Sequence, residues 1–160
     1  MTVVDLIGSR LDKALAVGAD SVINAGDEDV ARRLIALHGK GEAMWPGKSG
    51  TDIYLDAAGA PSVINTALAA AQVGARLGGV VAVHKEPVPV DFINIMANEI
   101  TVVGSMGYPT EIFEVTRDLV ANWEKYAVIV SHTFDFGDVQ DALQTALTPG
   151  AADKVVVTFA

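Results

Sequence analysis

Short apolar runs rich in β-branched residues alternate along this chain with segments of helical periodicity, and this alternation is the feature that most restricts its fold. The strand-like runs are TVVDL, SVINA, DIYLDAAG, VVAVH, ITVVGSMG and KVVVTFA. Helical patterns of about 10 to 15 residues separate most of them. Strands that are apolar on both faces and alternate with helices form parallel sheets covered on both sides. The pattern therefore predicts an α/β fold with a doubly wound parallel sheet.

Several of the predicted helices have an apolar stripe at helical spacing, and two of these follow a proline. The first follows Pro61, which suits the first position of a helix, and its inward residues are Ile64, Leu68 and Ala71. The second follows Pro109, and its apolar stripe consists of Ile112, Val115, Leu119 and Trp123. A third helix, near the N-terminus, has Ser9 as its expected N-cap. Both stripes predict a helix face that packs against the sheet.

Composition excludes several classes of function. A chain of 160 residues that is 51% hydrophobic buries one sizeable core, which argues against intrinsic disorder. The net charge of −9 argues against nucleic acid and against an anionic membrane surface as partners. The chain has no cysteine, no signal-peptide pattern and no apolar stretch long enough to span a membrane. We therefore expect a cytoplasmic protein.

The ends of the predicted strands are the candidate binding site, because ligands of an open doubly wound sheet lie across the carboxyl ends of its strands. Asp5 ends the first strand, where an acidic residue accepts hydrogen bonds from the adenosine ribose of a dinucleotide. Arg10, which follows in the helix, would lie along the ribose or the adenine. Small or apolar residues that allow a planar cofactor close approach end two later strands: Ala57, Ala58 and Gly59, then Val81, Ala82 and Val83.

These strand ends also have simpler interpretations. Asp5 would cap a turn, Arg10 would be a solvated helix residue, and glycine and alanine are ordinary turn residues. The glycine fingerprint of dinucleotide-binding folds is absent from the chain. Residue patterns alone therefore leave the cofactor site and the structural interpretation open.

The loop HGKGEAMWPGKSGT contains an apparent phosphate-binding motif. Gly47, Lys48 and Ser49 match the end of a P-loop, but five residues separate them from Gly41 where the motif has four. The segment also follows a predicted helix and leads into a strand, which is the reverse of the P-loop order. We therefore expect no nucleoside-triphosphate site here.

The three histidines do not have the spacing of a metal site. His38, His84 and His132 are far apart in the chain, and no HxxxH pattern occurs. We assign all three to structural roles and predict no metal site and no catalytic residue in this chain.

Four longer segments carry a family resemblance. VVDLIGSRLDKALAVGADSVIN, GTDIYLDAAGAPSVINTALAAA, VAVHKEPVPVDFINIMANEITVVGSMGY and SHTFDFGDVQDALQTAL together resemble the second half of a zinc-dependent medium-chain alcohol dehydrogenase, nearest the threonine, polyol and butanediol dehydrogenases. The resemblance covers nearly the whole chain. It implies a partial NAD-binding Rossmann domain over residues 1–125 and, over residues 126–160, a segment that returns to a catalytic domain. Two glycines, Gly78 and Gly79, depart from the family pattern because they stand inside an apolar run.

The resemblance also implies what this stretch lacks. The family's first Rossmann strand, its glycine-rich turn and its first helix have no counterpart here, and neither do the zinc ligands or the proton-relay residues. The absent strand is central in the family, between the strands that match TVVDL and DIYLDAAG. The sheet is therefore expected to have two open apolar edges.

Cofactor contacts carry over residue by residue. The resemblance implies that Asp5 and Arg10 contact the ribose and that Lys154 reaches the pyrophosphate. The residues that it implies on the nicotinamide side are Val81, Ala82, Val83, Ser105 and Met106.

Two functions follow as expectations. The first is part of an NAD-dependent alcohol or polyol dehydrogenase, which moves a hydride between a secondary alcohol and nicotinamide while zinc polarises the alcohol in the full-length family. Alone, the chain is expected to be inactive, and the strand Ile100–Val103 is expected to pair with its copy in a homo-oligomer. The alternative is a catalytically silent module that acts through self-association or protein interaction.

Overall fold

The computed structural model describes residues 1–80, 87–105 and 110–159. Within these ranges the strands are β1 (Thr2–Asp5), β2 (Ser21–Asn24), β3 (Ile53–Leu55), β4 (Arg76–Val80), β5 (Thr101–Gly104), β6 (His132–Asp135) and β7 (Val155–Thr158). The helices are α1 (Gly8–Ala16), α2 (Val30–His38), α3 (Pro61–Ala70), α4 (Phe92–Ala97), α5 (Glu111–Ala121), α6 (Trp123–Tyr126) and α7 (Val139–Leu147). All pairings between these strands are parallel, which confirms the predicted α/β class.

The strands of the described ranges form three sheets, with the orders β1-β2, β3-β4-β5 and β6-β7. Among the described strands, β1 pairs only with β2, and β3 pairs only with β4. Each therefore has one edge without a partner in the described part of the chain. These two edges are the ones that the resemblance predicts to be open.

The chain divides into two compact units, which we describe separately. Unit 1 comprises Met1–Gly26 and Pro109–Ala160. In it α1 packs against β1 and β2, and Leu11 of the helix and Ile23 of β2 are buried. Helix α7 packs against β6 and β7 and buries Ala142.

Unit 2 comprises Asp27–Tyr108 and contains the larger apolar core. Helix α3 begins with Pro61, as predicted, and its inward residues Ile64, Leu68 and Ala71 are buried, which confirms the predicted face. The other buried members of this cluster are Ala67, Ala75, Leu77 and Ile100. The core thus joins α3 to β4 and to the residue that precedes β5.

Several local expectations were wrong. Helix α1 begins at Gly8 with Ile7 at its N-cap, so Ser9 is not the cap. Helix α4 and strand β6 were not predicted at all. The fourth strand begins at Arg76, whereas the pattern placed its start at Val80.

The two glycines of β4 coincide with an irregularity in the sheet. Gly79 has φ +64°, a conformation that glycine adopts without the steric cost of a side chain. The register between β4 and β5 shifts between Leu77 and Val80. The departure from the family pattern therefore interrupts the pairing of this strand.

In the described part of the chain, no helix has the length and apolar character required to cross a bilayer.

Candidate cofactor site

Asp5 lies at the carboxyl end of β1, at the turn that leads into α1. Its Oδ1 accepts a hydrogen bond from the Ile7 backbone N–H at 2.9 Å. The carboxylate therefore caps the turn, as the simpler interpretation expected, and this bond uses only one of its two oxygens. Since the side chain is half-buried at a strand end, the geometry still suits a hydroxyl donor at the other oxygen.

Arg10 is bound to the C-terminal part of unit 1. Its Nε donates to Asp153 Oδ1 at 2.8 Å, and its Nη2 donates to the Ala152 carbonyl at 3.1 Å. Lys13, one turn further along α1, donates from Nζ to Asp153 Oδ2 at 2.7 Å. Arg10 is thus not a simply solvated helix residue. The residue that organises it, Asp153, was missed by the sequence analysis.

Lys154 follows Asp153 and immediately precedes β7. Its backbone is held by Ser131: the Ser131 N–H donates to the Lys154 carbonyl at 3.0 Å, and the Asp153 N–H donates to Ser131 Oγ at 2.9 Å. The Lys154 side chain is exposed. The structure therefore binds Arg10 to Asp153, the residue that immediately precedes Lys154, another predicted cofactor contact, within unit 1.

The turn after β3 is organised by a buried carboxylate. Asp56 is only 2% exposed, and its Oδ1 accepts hydrogen bonds from the backbone N–H groups of Ala58 and Gly59, both at 2.9 Å. Within the described ranges its Oδ2 has no hydrogen-bond partner. Ala57 and Ala58 are exposed, and Gly59 has φ +68°. This turn therefore presents small side chains and a buried acceptor at the end of a strand.

Parallel pairing brings two of the predicted contact regions of unit 2 to one sheet edge. The segment Ala57–Gly59 follows β3, and the exposed Ser105 follows β5. Because β3, β4 and β5 are mutually parallel, their carboxyl ends share an edge. The predicted contacts Val81, Ala82, Val83 and Met106 lie outside the described residues.

Asp56 could have been found from the sequence. It ends the apolar run DIYL as Asp5 ends TVV, and an acidic residue at that point fixes a strand-to-helix turn by accepting backbone N–H groups. The small residues after Asp56 were predicted as cofactor contacts, whereas the carboxylate that orders them was not.

The apparent P-loop has a structural role. Lys48 is 6% exposed, and its Nζ donates to the carbonyls of Ala69 at 2.6 Å and Leu68 at 3.4 Å and to Asn94 Oδ1 at 2.9 Å. These carbonyls lie in the last turn of α3, where helix carbonyls lack partners within the helix. Burial lowers the pKa of Lys48, and the charge of Asp91 opposes that shift. The lysine therefore caps a helix and is not available to a phosphate.

Ser49, the next residue after Lys48, belongs to a hydrogen-bonded chain of hydroxyl groups. Its backbone N–H donates to the Ala70 carbonyl at 2.8 Å, and its Oγ lies 2.8 Å from the Tyr54 hydroxyl and 3.0 Å from Thr51 Oγ1. Thr51 Oγ1 in turn lies 2.6 Å from His38 Nδ1. Burial raises the pKa of Tyr54, whereas its hydrogen bonds with Ser49 and Thr51 act in the opposite direction. His38 therefore belongs to a structural network.

The remaining histidines give no ligand set for a metal. His132 Nδ1 lies 3.0 Å from Ser131 Oγ, and its ring stacks on Phe134. His84 lies outside the described residues. Within the described ranges, no three His, Asp or Glu side chains come together as metal ligands, and the sequence has no cysteine. The described residues thus do not fit the catalytic zinc that the resemblance implies for the full-length family.

Comparisons with known proteins agree with this architecture. Residues 1–122 match the family model described as zinc-binding dehydrogenase. An L-threonine 3-dehydrogenase of Pectobacterium carotovorum is 26% identical over 99% of this chain and 44% of its own length. A sorbitol dehydrogenase of Bacillus subtilis is 25% identical over 91% of this chain and 39% of its own length.

Solved structures extend the likeness to the fold. A short chain alcohol dehydrogenase of E. coli CFT073, whose crystal structure contains the cofactor NADH, is 30% identical, with a TM-score of 0.73 over 99% of this chain and 44% of that chain. This chain therefore spans less than half the length of the relatives that it matches.

Proposed function

We propose that this chain, which belongs to the zinc-binding dehydrogenase family, provides the cofactor-binding part of an NAD-dependent alcohol or polyol dehydrogenase. The observation that carries this proposal is the carboxylate of Asp5 at the end of a parallel strand that leads into α1. Such a carboxylate accepts hydrogen bonds from the adenosine ribose of NAD. The likeness to an NADH-containing alcohol dehydrogenase over nearly the whole chain supports it.

The chain's own residues would bind and orient the cofactor. In unit 1, Asp5 would accept ribose hydroxyls. In unit 2, taken by itself, the small residues Ala57–Gly59 and the exposed Ser105 follow parallel strands at their carboxyl ends and would allow close approach there. Bound nicotinamide would supply the hydride chemistry that the relatives' names indicate, with a secondary alcohol as the proposed substrate class. The described residues do not form a zinc site, so polarisation of the alcohol is not assigned to them.

The proposal includes a domain boundary and a cellular location. We place the end of the cofactor-binding domain near residue 125, supported by the family match that ends at residue 122. Residues 126–160 would then be a segment that returns to the catalytic domain. The cytoplasmic location expected from the sequence stays part of this proposal.

Cofactor preference in a length-restored enzyme tests the function. The chain would be joined to the portion of the Pectobacterium dehydrogenase that it does not span, and kcat/KM would be measured with NAD and NADP. We expect NAD to be preferred by about 1–3 kcal/mol, because a 2′-phosphate placed against Asp5 is repelled. Asp5→Ser should remove most of this preference, whereas Asp12→Ser, on the exposed face of α1, should not. A parent that prefers NADP would overturn the proposal.

The 160-residue chain alone should show no zinc- and NAD-dependent oxidation of butane-2,3-diol, threonine or sorbitol.

A second candidate function is self-association without catalysis. It is favoured by β5, which lies at the edge of its sheet with Val102 and Val103 exposed. An exposed β-branched edge strand pairs readily with another chain. Sedimentation of the wild type should show a dimer and that of Val102→Lys a monomer, while Val128→Lys, at an exposed residue outside the strands, should leave the dimer intact. An unchanged species in Val102→Lys would contradict pairing through β5.

A further inference from the structure

A three-membered ion cluster ties the start of α1 to the segment that precedes β7. Asp153 Oδ1 accepts from Arg10 Nε at 2.8 Å, and Asp153 Oδ2 accepts from Lys13 Nζ at 2.7 Å. Both carboxylate oxygens are therefore used. The hydrogen bonds from Lys13 and Arg10 hold the pKa of Asp153 below its usual value, so this carboxylate is ionised at neutral pH.

The cluster fixes the direction of the Arg10 guanidinium. One edge of the group is occupied by two acceptors from adjacent residues, Asp153 Oδ1 and the Ala152 carbonyl. Asp153 is itself held, because its backbone N–H donates to Ser131 Oγ at 2.9 Å. An arginine with two fixed acceptors loses the freedom to turn toward a ligand, and its charge is partly offset by the carboxylate.

Arg10 stands where an arginine could bind the 2′-phosphate of a dinucleotide. An arginine close to the acidic residue that ends this strand is the group that accommodates the 2′-phosphate of NADP in dinucleotide-binding folds. Here Asp5 ends the strand and Arg10 follows it in α1, but Arg10 is committed to Asp153. Two carboxylates, Asp5 and Asp153, thus act against a 2′-phosphate in different ways: one by repulsion at the ribose, the other by occupying the cation.

We propose that Asp153 is a specificity-determining positioning residue, which withholds the Arg10 guanidinium from a 2′-phosphate and so favours NAD over NADP. This inference rests on the proposed function, since it requires that the adenosine half of the cofactor lies at the β1–α1 turn. Removal of the Asp153 charge frees Arg10 and leaves the charge of Lys13 without its counter-ion. Both changes favour an additional phosphate on the ligand.

Two adenosine nucleotides that differ only in the 2′-phosphate test the proposal. The complete 160-residue chain is titrated with adenosine 5′-monophosphate and with adenosine 2′,5′-bisphosphate, and binding is followed by NMR to millimolar concentration at constant ionic strength. In Asp153→Asn we expect the Kd of the bisphosphate to fall at least tenfold while that of the monophosphate changes less than twofold. Asp153→Ala, which is also neutral, should behave in the same way and serves if the first variant fails to fold.

The matched control is Asp12→Asn, which makes the same change of charge at an exposed residue of α1, the helix that contains Arg10 and Lys13. It should leave the ratio of the two dissociation constants within twofold of the wild type. Arg10→Ala combined with Asp153→Asn should remove most of the gain and leave only the part due to Lys13, because the freed guanidinium is its main source. If Asp153→Asn leaves the preference for the bisphosphate unchanged, or if Asp12→Asn raises that preference equally, the role of Asp153 is overturned while the proposed function stands. If neither nucleotide binds to any variant, the proposed function fails and this inference fails with it.

Discussion

Helices α3 and α5 both have apolar residues at helical spacing but differ in burial. Four residues of α3 are buried, including Leu68 at 1% exposed, and three of the four belong to the core that contains Leu77 and Ile100. No residue of α5 is buried, and Leu119, in its predicted apolar stripe, is 43% exposed. The expectation that this stripe packs against the sheet was therefore wrong for the chain as described. Periodicity predicts that a helix forms, whereas burial also requires a partner surface within the same stretch of chain.

The difference should appear first as a difference in stability. Leu68→Ala is expected to lower the free energy of unfolding by about 3–4 kcal/mol, because it leaves a cavity in the core beside α3. Leu119→Ala makes the same chemical change on α5 and should cost less than about 1 kcal/mol, because its side chain is already partly in water. Urea unfolding followed by circular dichroism measures both values. Equal costs would show that the two helices do not differ in packing.

The lysine that caps α3 should have the next largest effect. Lys48→Met keeps most of the side-chain volume but leaves the Leu68 and Ala69 carbonyls and the Asn94 amide oxygen without this donor. Buried acceptors without a partner cost about 1–3 kcal/mol, so we expect a loss of about 2 kcal/mol. Lys40→Met, at an exposed residue of the same loop, is the control and should change stability by less than about 0.5 kcal/mol. A loss as small as the control's would mean that the cap contributes nothing net.

Tyr54 tests the hydroxyl network in the same region. Tyr54→Phe removes the hydrogen bond to Ser49 and should cost about 1 kcal/mol at neutral pH. Because burial raises the pKa of Tyr54, the folded protein keeps its phenolic proton at a pH where the unfolded chain has lost it. The stability due to Tyr54 is thus complete below pH 10.0, the ordinary value, and is lost as the pH rises through the raised pKa.

The check is urea unfolding of wild type and Tyr54→Phe between pH 8 and pH 11. The difference between wild type and Tyr54→Phe should narrow only at the alkaline end. A difference that is constant across the range would show that Tyr54 ionises equally in both states.

Residue patterns predicted the parallel α/β class and the buried face of α3 because both depend on local periodicity. They also excluded a P-loop at Lys48 from the order of the elements around it. They did not show that Lys48 would cap α3, since its partners lie 20 and 21 residues away in sequence. A contact at that separation depends on tertiary packing, which local patterns do not contain.

The candidate site was predictable to the same extent. The positions of Asp5 and of the small residues after β3 at strand ends were predictable because strand ends have a local signal, an apolar run that stops at an acidic or small residue. Their role as cofactor contacts stays a prediction. Asp153 was missed because its bond to Arg10 spans 143 residues. The N-cap of α1 was placed at Ser9 because a serine is a strong local signal, but the Asp5 carboxylate binds the Ile7 N–H and the helix begins at Gly8.

The smallest effect is expected in unit 1, from the carboxylate that joins α1 to the C-terminal segment. Hydrogen bonds from Lys13 and Arg10 hold the pKa of Asp153 below its usual value of 3.8. In the window between the lowered pKa and 3.8 the unfolded chain binds a proton at Asp153 and the folded protein does not, so stability falls as the pH falls. The contribution of this ion cluster is therefore present above pH 3.8 and lost as the pH drops through the lowered pKa.

Asp153→Asn should be less stable than the wild type at pH 7, and the difference should shrink below pH 3.8 because the wild type then also loses the charge. Urea unfolding at pH 7, 4.5, 3 and 2.5 measures it, with Asp12→Asn as the control of equal charge. Because the cluster is partly open to water, its effect should be smaller than that of Lys48→Met in unit 2. An effect as large as that of Lys48→Met would contradict this expectation. It would mean that a partly exposed ion cluster stabilises unit 1 as much as the buried lysine stabilises unit 2.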